Sequence, residues 1–138
     1  LKHPKKIFKP ISIKVNHNNQ YRVVFCTFRN LPIFKGQIAE DVKKWIYEII
    51  EEYGGKIIDW GIEPHLVRMI IRTNPAYEIH QLIKTIKTIT AEKIREVSKV
   101  EIPTLENHSP WTNAYYVRSL GFSDENEERS FIEDQKKK

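Results

Sequence analysis

Lys56-Ile57-Ile58-Asp59-Trp60-Gly61-Ile62 and Leu66-Val67-Arg68-Met69-Ile70-Ile71-Arg72 flank the short break Glu63-Pro64-His65. Branched and aromatic side chains at this density suit a pleated, half-buried surface, and a proline cannot stay in a central ladder. The stretch therefore reads as two strands joined by a tight connection, a hairpin or close to one. Just before it, Ile38, Val42, Trp45, Ile46, Ile49 and Ile50 recur at helical spacing, with Glu and Lys on the other face, and Gly54-Gly55 ends the run. Further upstream, Tyr21 to Phe28 is a strand, broken by Asn30, Pro32 and Gly36. Downstream of Pro75, Ile79, Leu82, Ile83, Ile86, Ile89 and Ile94 form the apolar stripe of a second helix. Pro103 and Pro110 bracket a loop, Trp111 to Leu120 reads as a fourth strand, and Ser123-Asp124 caps a charged helix running to the C-terminus. The order strand, helix, strand, strand, helix, strand, helix predicts an α+β, ferredoxin-like fold: an antiparallel sheet with two helices on one face plus a C-terminal helix. Residues 1–18, basic and carrying Pro4 and Pro10, are expected to form an extension ahead of a domain over 19–138.

The chain has 138 residues, with 23 Lys plus Arg against 18 Asp plus Glu, a formal charge of +5. One domain accommodates this length, and a basic balance makes an anionic partner such as nucleic acid a reasonable expectation. Much of the excess sits at the ends, in Lys2, Lys5, Lys6, Lys9 and Lys14 and in Lys136, Lys137 and Lys138. A single cysteine, Cys26, excludes an internal disulfide and a cysteine-cluster zinc site, and is expected to be a small buried residue. No apolar run reaches the roughly 20 residues of a membrane span. A soluble, cytoplasmic protein with no membrane partner is the expectation.

Three stretches resemble the TnpA-type insertion-sequence transposases, also met as REP-associated tyrosine transposases, of the HUH single-strand DNA transposase superfamily. Tyr21 to Arg29 is similar to the family's opening strand and basic turn. Gly54 to Ile71 resembles its segment around Pro-Asp-His-hydrophobic-His. Trp111-Thr112-Asn113-Ala114-Tyr115-Tyr116-Val117-Arg118-Ser119-Leu120-Gly121 with Phe131-Ile132-Glu133-Asp134-Gln135 resembles its Trp, Tyr, Val and Gly strand and closing Tyr-Ile-Glu-x-Gln helix.

The resemblance implies a reaction and names its parts. Two histidines one residue apart on a strand share a face and, with a glutamine of the last helix, hold a divalent metal on the scissile phosphate. A tyrosine of that helix attacks and becomes linked to the DNA 5′ end. Aligned on Glu63-Pro64, the histidine positions fall on Leu66 and Arg68, the tyrosine position on Phe131, and only Gln135 keeps its type. A shift by one residue makes His65 the first histidine but puts Val67 at the second. The expectation is a degenerate member with no confident catalytic or metal residue, needing no cofactor; Mg or Mn enters only if a shifted site built on His65, Gln135 and Tyr115 or Tyr116 is active. Arg68 is either a phosphate grip by paired hydrogen bonds or an ordinary ion-paired surface arginine.

Loss of the reaction does not remove a DNA interface, because affinity comes from cations along the backbone and stacking platforms for bases. The resemblance implies single-stranded or hairpin DNA as partner, and Arg22, Arg29, Arg68, Lys84, Lys87, Lys93 and Arg95 are the candidate contacts. It also implies a homodimer, with Phe25, Phe28 and the first strand expected near the junction. A ferredoxin-like RNA- or protein-binding module is the remaining alternative.

Overall fold

The computed structural model describes residues 19–98, 108–120 and 125–137. The expected basic extension and the Ser123-Asp124 cap lie outside them. Strand β1 (Gln20–Cys26) leads into helix α1 (Gln37–Glu52), the hairpin β2 (Lys56–Glu63) and β3 (Leu66–Arg72), helix α2 (Ile79–Ser98), strand β4 (Tyr116–Ser119) and helix α3 (Glu125–Lys136). The sheet order is β2-β3-β1-β4 with every neighbour antiparallel. The α+β, ferredoxin-like expectation holds.

Strand alternation sorts the sheet into two faces. Val23 and Phe25 of β1 join Val67, Met69 and Ile71 of β3 and the apolar stripes of α1 and α2 in the main core. Val24 and Cys26 point the other way, where Leu66 and Tyr116 join them beneath Phe131 and Ile132 of α3. Of the predicted helical stripes, Val42, Ile46, Ile49 and Ile50 of α1 and Leu82, Ile83, Ile86 and Ile94 of α2 are buried, while Ile38, Trp45, Ile79 and Ile89 are half-buried against the core.

Helix α1 stops in a Schellman arrangement, with Gly55 N donating to Ile50 O (2.9 Å) and Gly54 N to Glu51 O (3.0 Å). Gly54 takes φ +77°, and a Cβ there would stand 2.9 Å from Asn74 Nδ2. Helix α2 is capped at its start by Glu78, whose carboxylate accepts from His80 N (3.0 Å) and Gln81 N (2.9 Å).

Three expectations are corrected. The first strand ends at Cys26, because Phe28–Asn30 turns in a 3-10 step with Arg29 and Asn30 at φ 52° and 58°. The fourth strand is confined to Tyr116–Ser119; Trp111 makes only an isolated bridge to Thr27. Its indole is turned into the core, and the carbonyls of Thr112, Asn113 and Ala114 accept hydrogen bonds from Lys87 Nζ instead of pairing with a strand. Finally, β1 is not an edge available for pairing with another subunit. It lies between β3 and β4, and Phe25 is wholly buried, so the sheet edges are β2 and β4.

Replacing Gly54 by Ala should cost about 1–2 kcal/mol, the penalty of a left-handed backbone for a residue with a Cβ, read as a lower urea midpoint with an unchanged denaturant slope.

Candidate nucleic-acid interface

The α3 side of the sheet gathers the positions that the resemblance singled out. Leu66 and Arg68 share this face, as residues two apart on a strand must. Leu66 is buried in the apolar cluster under α3, and Phe131 lies over the same cluster with its ring 5.6 Å from that of Tyr116. Gln135, one helical turn beyond Phe131, is 3% exposed, and its Oε1 accepts no hydrogen bond among the described residues. An orphaned buried amide oxygen of this kind costs about 1–3 kcal/mol.

Arg68 stands beyond the cluster and forms an ion pair with Glu63 across the hairpin. Gly61, directly opposite Arg68, makes this possible: a Cβ there would lie 3.1 Å from Arg68 Cγ. Both partners are partly exposed, so solvent screens the pair and it adds little to stability. The cation nevertheless sits on the face to which the resemblance assigns a metal.

The donor set here does not fit a divalent metal. Leu66 has no lone pair, Arg68 is itself a cation, and Gln135 contributes one neutral oxygen. Among the described residues no group of three or more His, Cys, Asp or Glu side chains could hold a metal ion. His65 occupies the hairpin turn, where its carbonyl accepts from Thr27 N (3.0 Å) and Thr27 Oγ1 (3.1 Å). Of the two tyrosines weighed as substitutes, Tyr116 is buried on the α3 side. Tyr115 packs against the main core on the other side, hydrogen-bonded to His80 Nδ1 at 2.7 Å, with its hydroxyl pKa raised by burial.

The candidate DNA contacts are divided by the sheet. Arg22 and Arg68 share the α3 face with Arg118, which pairs in register directly with Arg22. Arg118 was missed because alternation shows that it shares a face with Tyr116, but not that β4 lies against β1. On α2, across the sheet, Lys84 is exposed and Arg95 half-buried. Lys93 places its ammonium 5.1 Å over the Trp45 ring and so ties α2 to α1. Lys87 holds the carbonyls of Thr112, Asn113 and Ala114 at 2.7, 3.1 and 3.4 Å, and burial pushes its pKa down to about 8. It braces the loop that precedes β4.

That loop walls a cleft of about 410 Å³ at the end of β1. Phe28 and His108 stack as one side of it, ring centroids 4.9 Å apart and planes 15° from parallel, with the Arg29 guanidinium 4.9 Å from the Phe28 centroid. Ser109, Asn113 and Gln135 supply its polar lining. Sequence reasoning had no means of finding this cleft, since its residues come from three separated stretches.

Two solved structures share the fold. One is a protein of Deinococcus radiodurans R1 described as a transposase (15% identity, TM-score 0.79, covering 90% of this chain and 95% of that one). The other is a REP-associated tyrosine transposase bound to a REP hairpin (8% identity, TM-score 0.55, covering 87% and 68%). No curated protein matches the chain. These likenesses show an α+β fold shared with both proteins. Residues 15–135 match the family model of IS200-like transposases, and the chain belongs to that family. Among the described residues no helix is long and apolar enough to cross a membrane.

Burial also pushes the Cys26 thiol, at the end of β1, up from 9.0 to about 11. The folded chain therefore keeps this proton where the unfolded chain loses it. The resulting stabilisation is full below pH 9.0 and is lost as pH rises through about 11. Iodoacetamide at pH 9.0 should accordingly alkylate Cys26 in the native chain roughly tenfold or more slowly than in urea, measured by mass spectrometry.

Proposed function

We propose that this member of the IS200-like transposase family binds single-stranded or hairpin DNA and does not cleave it. The reading rests on the content of one sheet face, where Leu66, Arg68 and Phe131 gather: these are the positions to which the resemblance assigns two metal-binding histidines and a nucleophilic tyrosine. An aliphatic side chain and a guanidinium cannot polarise a phosphate as a divalent metal does, and a phenyl ring has no oxygen to attack phosphorus. Binding needs neither. Arg22, Arg68 and Arg118 bring three guanidinium groups to that face, and guanidinium groups grip phosphate oxygens by paired, charge-assisted hydrogen bonds. The hairpin bound to the REP-associated relative supports a folded single strand as the partner. The protein acts in the cytoplasm, as a homodimer.

The test pairs labelled hairpins and single strands with the protein in Mg or Mn buffer, reading band shift and covalent adduct together. A shift without an adduct is expected, and Phe131→Tyr should leave the adduct absent because the metal ligands remain missing. An adduct surviving denaturation would overturn the inactive reading and direct attention to Tyr116, which shares its face with Gln135. No shift with DNA, but binding to RNA, would favour the RNA-binding alternative. Arg22→Gln and Arg118→Gln should each weaken hairpin binding and lower the slope of log affinity against log salt by about 0.7–0.9. Sedimentation at micromolar concentration checks the dimer.

A further inference from the structure

The cleft at the end of β1 has the features of a reader for one unpaired base. It combines a stacked aromatic wall, Phe28 on His108 at 4.9 Å, with an arginine beside that wall and a buried carboxamide at its inner side. Gln135 is 97% removed from solvent by the 3% exposure of its side chain, and its Oε1 lacks a donor among the described residues. Protein interiors satisfy almost all such atoms, so an orphan bordering a cleft calls for a donor brought in by a ligand. A volume of about 410 Å³ falls near the small end of the roughly 300–1,000 Å³ typical of small-molecule sites. The cleft suits one planar heterocycle.

The location suits a base that belongs to a longer strand. β1 runs from Arg22 to Cys26, a rise of roughly 13 Å at 3.3 Å per residue, and the cleft opens just past Cys26, whose carbonyl accepts from Thr112 N at 2.9 Å. A strand held by the arginines of the α3 face thus arrives at the cleft mouth. Lys87 fixes the opposite wall by holding the carbonyls of Thr112, Asn113 and Ala114, which keeps the cleft open without a ligand.

We propose that this cleft takes a single unpaired nucleobase of the bound DNA, stacked against the Phe28–His108 wall, and that Gln135 accepts a hydrogen bond from its exocyclic amine. Adenine is the expected base, because a carboxamide can accept from its amine and donate to its neighbouring ring nitrogen at once. Phe131, which replaces the nucleophile, and Leu66, which replaces a metal ligand, leave this glutamine with no metal to serve. Its amide is available for recognition instead. The inference rests on the DNA-binding reading above.

The test uses fluorescence anisotropy with a hairpin bearing a single-stranded adenine tail, and the same hairpin without a tail as each variant's own reference. An abasic site at one tail position should weaken binding roughly tenfold, the scale of losing one stacked base. Purine, which lacks the amine, at that position should fall between adenine and the abasic site. Gln135→Leu fills the same space without an orphan oxygen, so its fold is expected to persist; it should bring the adenine-to-purine ratio to one. Phe28→Ala should remove the abasic effect. The slot is overturned if no tail position is sensitive to base removal, or if Gln135→Leu keeps the adenine preference, while hairpin binding itself continues. Failure of the wild-type protein to bind any hairpin overturns the DNA-binding reading, and the slot with it.

Discussion

Trp111 donates its indole N–H to Thr90 Oγ1 at 3.0 Å in the buried middle of α2, and the hydroxyl in turn donates to Ile86 O at 2.7 Å. Around that link, the indole meets Phe25 of β1 at 5.4 Å and Phe34 at 5.3 Å, while its backbone bridges Thr27. One side chain therefore ties the end of β1, α2 and the loop before β4 into a single unit. A buried indole N–H must find a partner, and here the partner is itself satisfied. Together with Lys87, which holds the carbonyls of Thr112, Asn113 and Ala114, Trp111 anchors the loop that walls the cleft.

The second organising constraint is the sheet's need to cover both faces of its central strands. The α1 and α2 stripes cover one face, and a short α3 covers half of the other. Where α3 packs, Leu66 and Phe131 bury apolar surface against Val24, Cys26 and Tyr116. Where α3 does not reach, the arginines stand on the sheet. One face of the sheet thus carries an apolar cluster under α3 and the guanidinium groups of Arg22, Arg68 and Arg118. Gln135 lines the cleft at the other end of β1 from Arg22. Its Oε1 accepts no hydrogen bond among the described residues, which leaves it able to serve as one half of an interaction whose other half arrives from outside.

The two helices were legible because a 3.6-residue stripe of isoleucine, leucine and valine has one stable placement, against a sheet. The hairpin was legible because Glu63-Pro64-His65 cannot continue a ladder. The extents of β1 and β4 were less legible. Phe28 and Trp111 have strand-like composition, but the left-handed turn at Arg29 and Asn30 and the capture of carbonyls by Lys87 are decided by groups distant in the chain. Of the candidate contacts, Lys87 and Lys93 look like solvated positions on a helical wheel. In the fold one braces a loop and the other rests on Trp45.

By itself, then, the sequence determined the element order, the two-layer α+β class and most of the composition of the core. These are properties of local spacing and residue type, which act within a few residues of one another. Tertiary structure alone decided that Arg22 faces Arg118, that β1 is interior and closed to edge pairing, and that Phe28, His108, Asn113 and Gln135 meet around one cleft. Strand register and long-range closure bring residues together across the length of the chain, and no local periodicity encodes which strand will lie beside which.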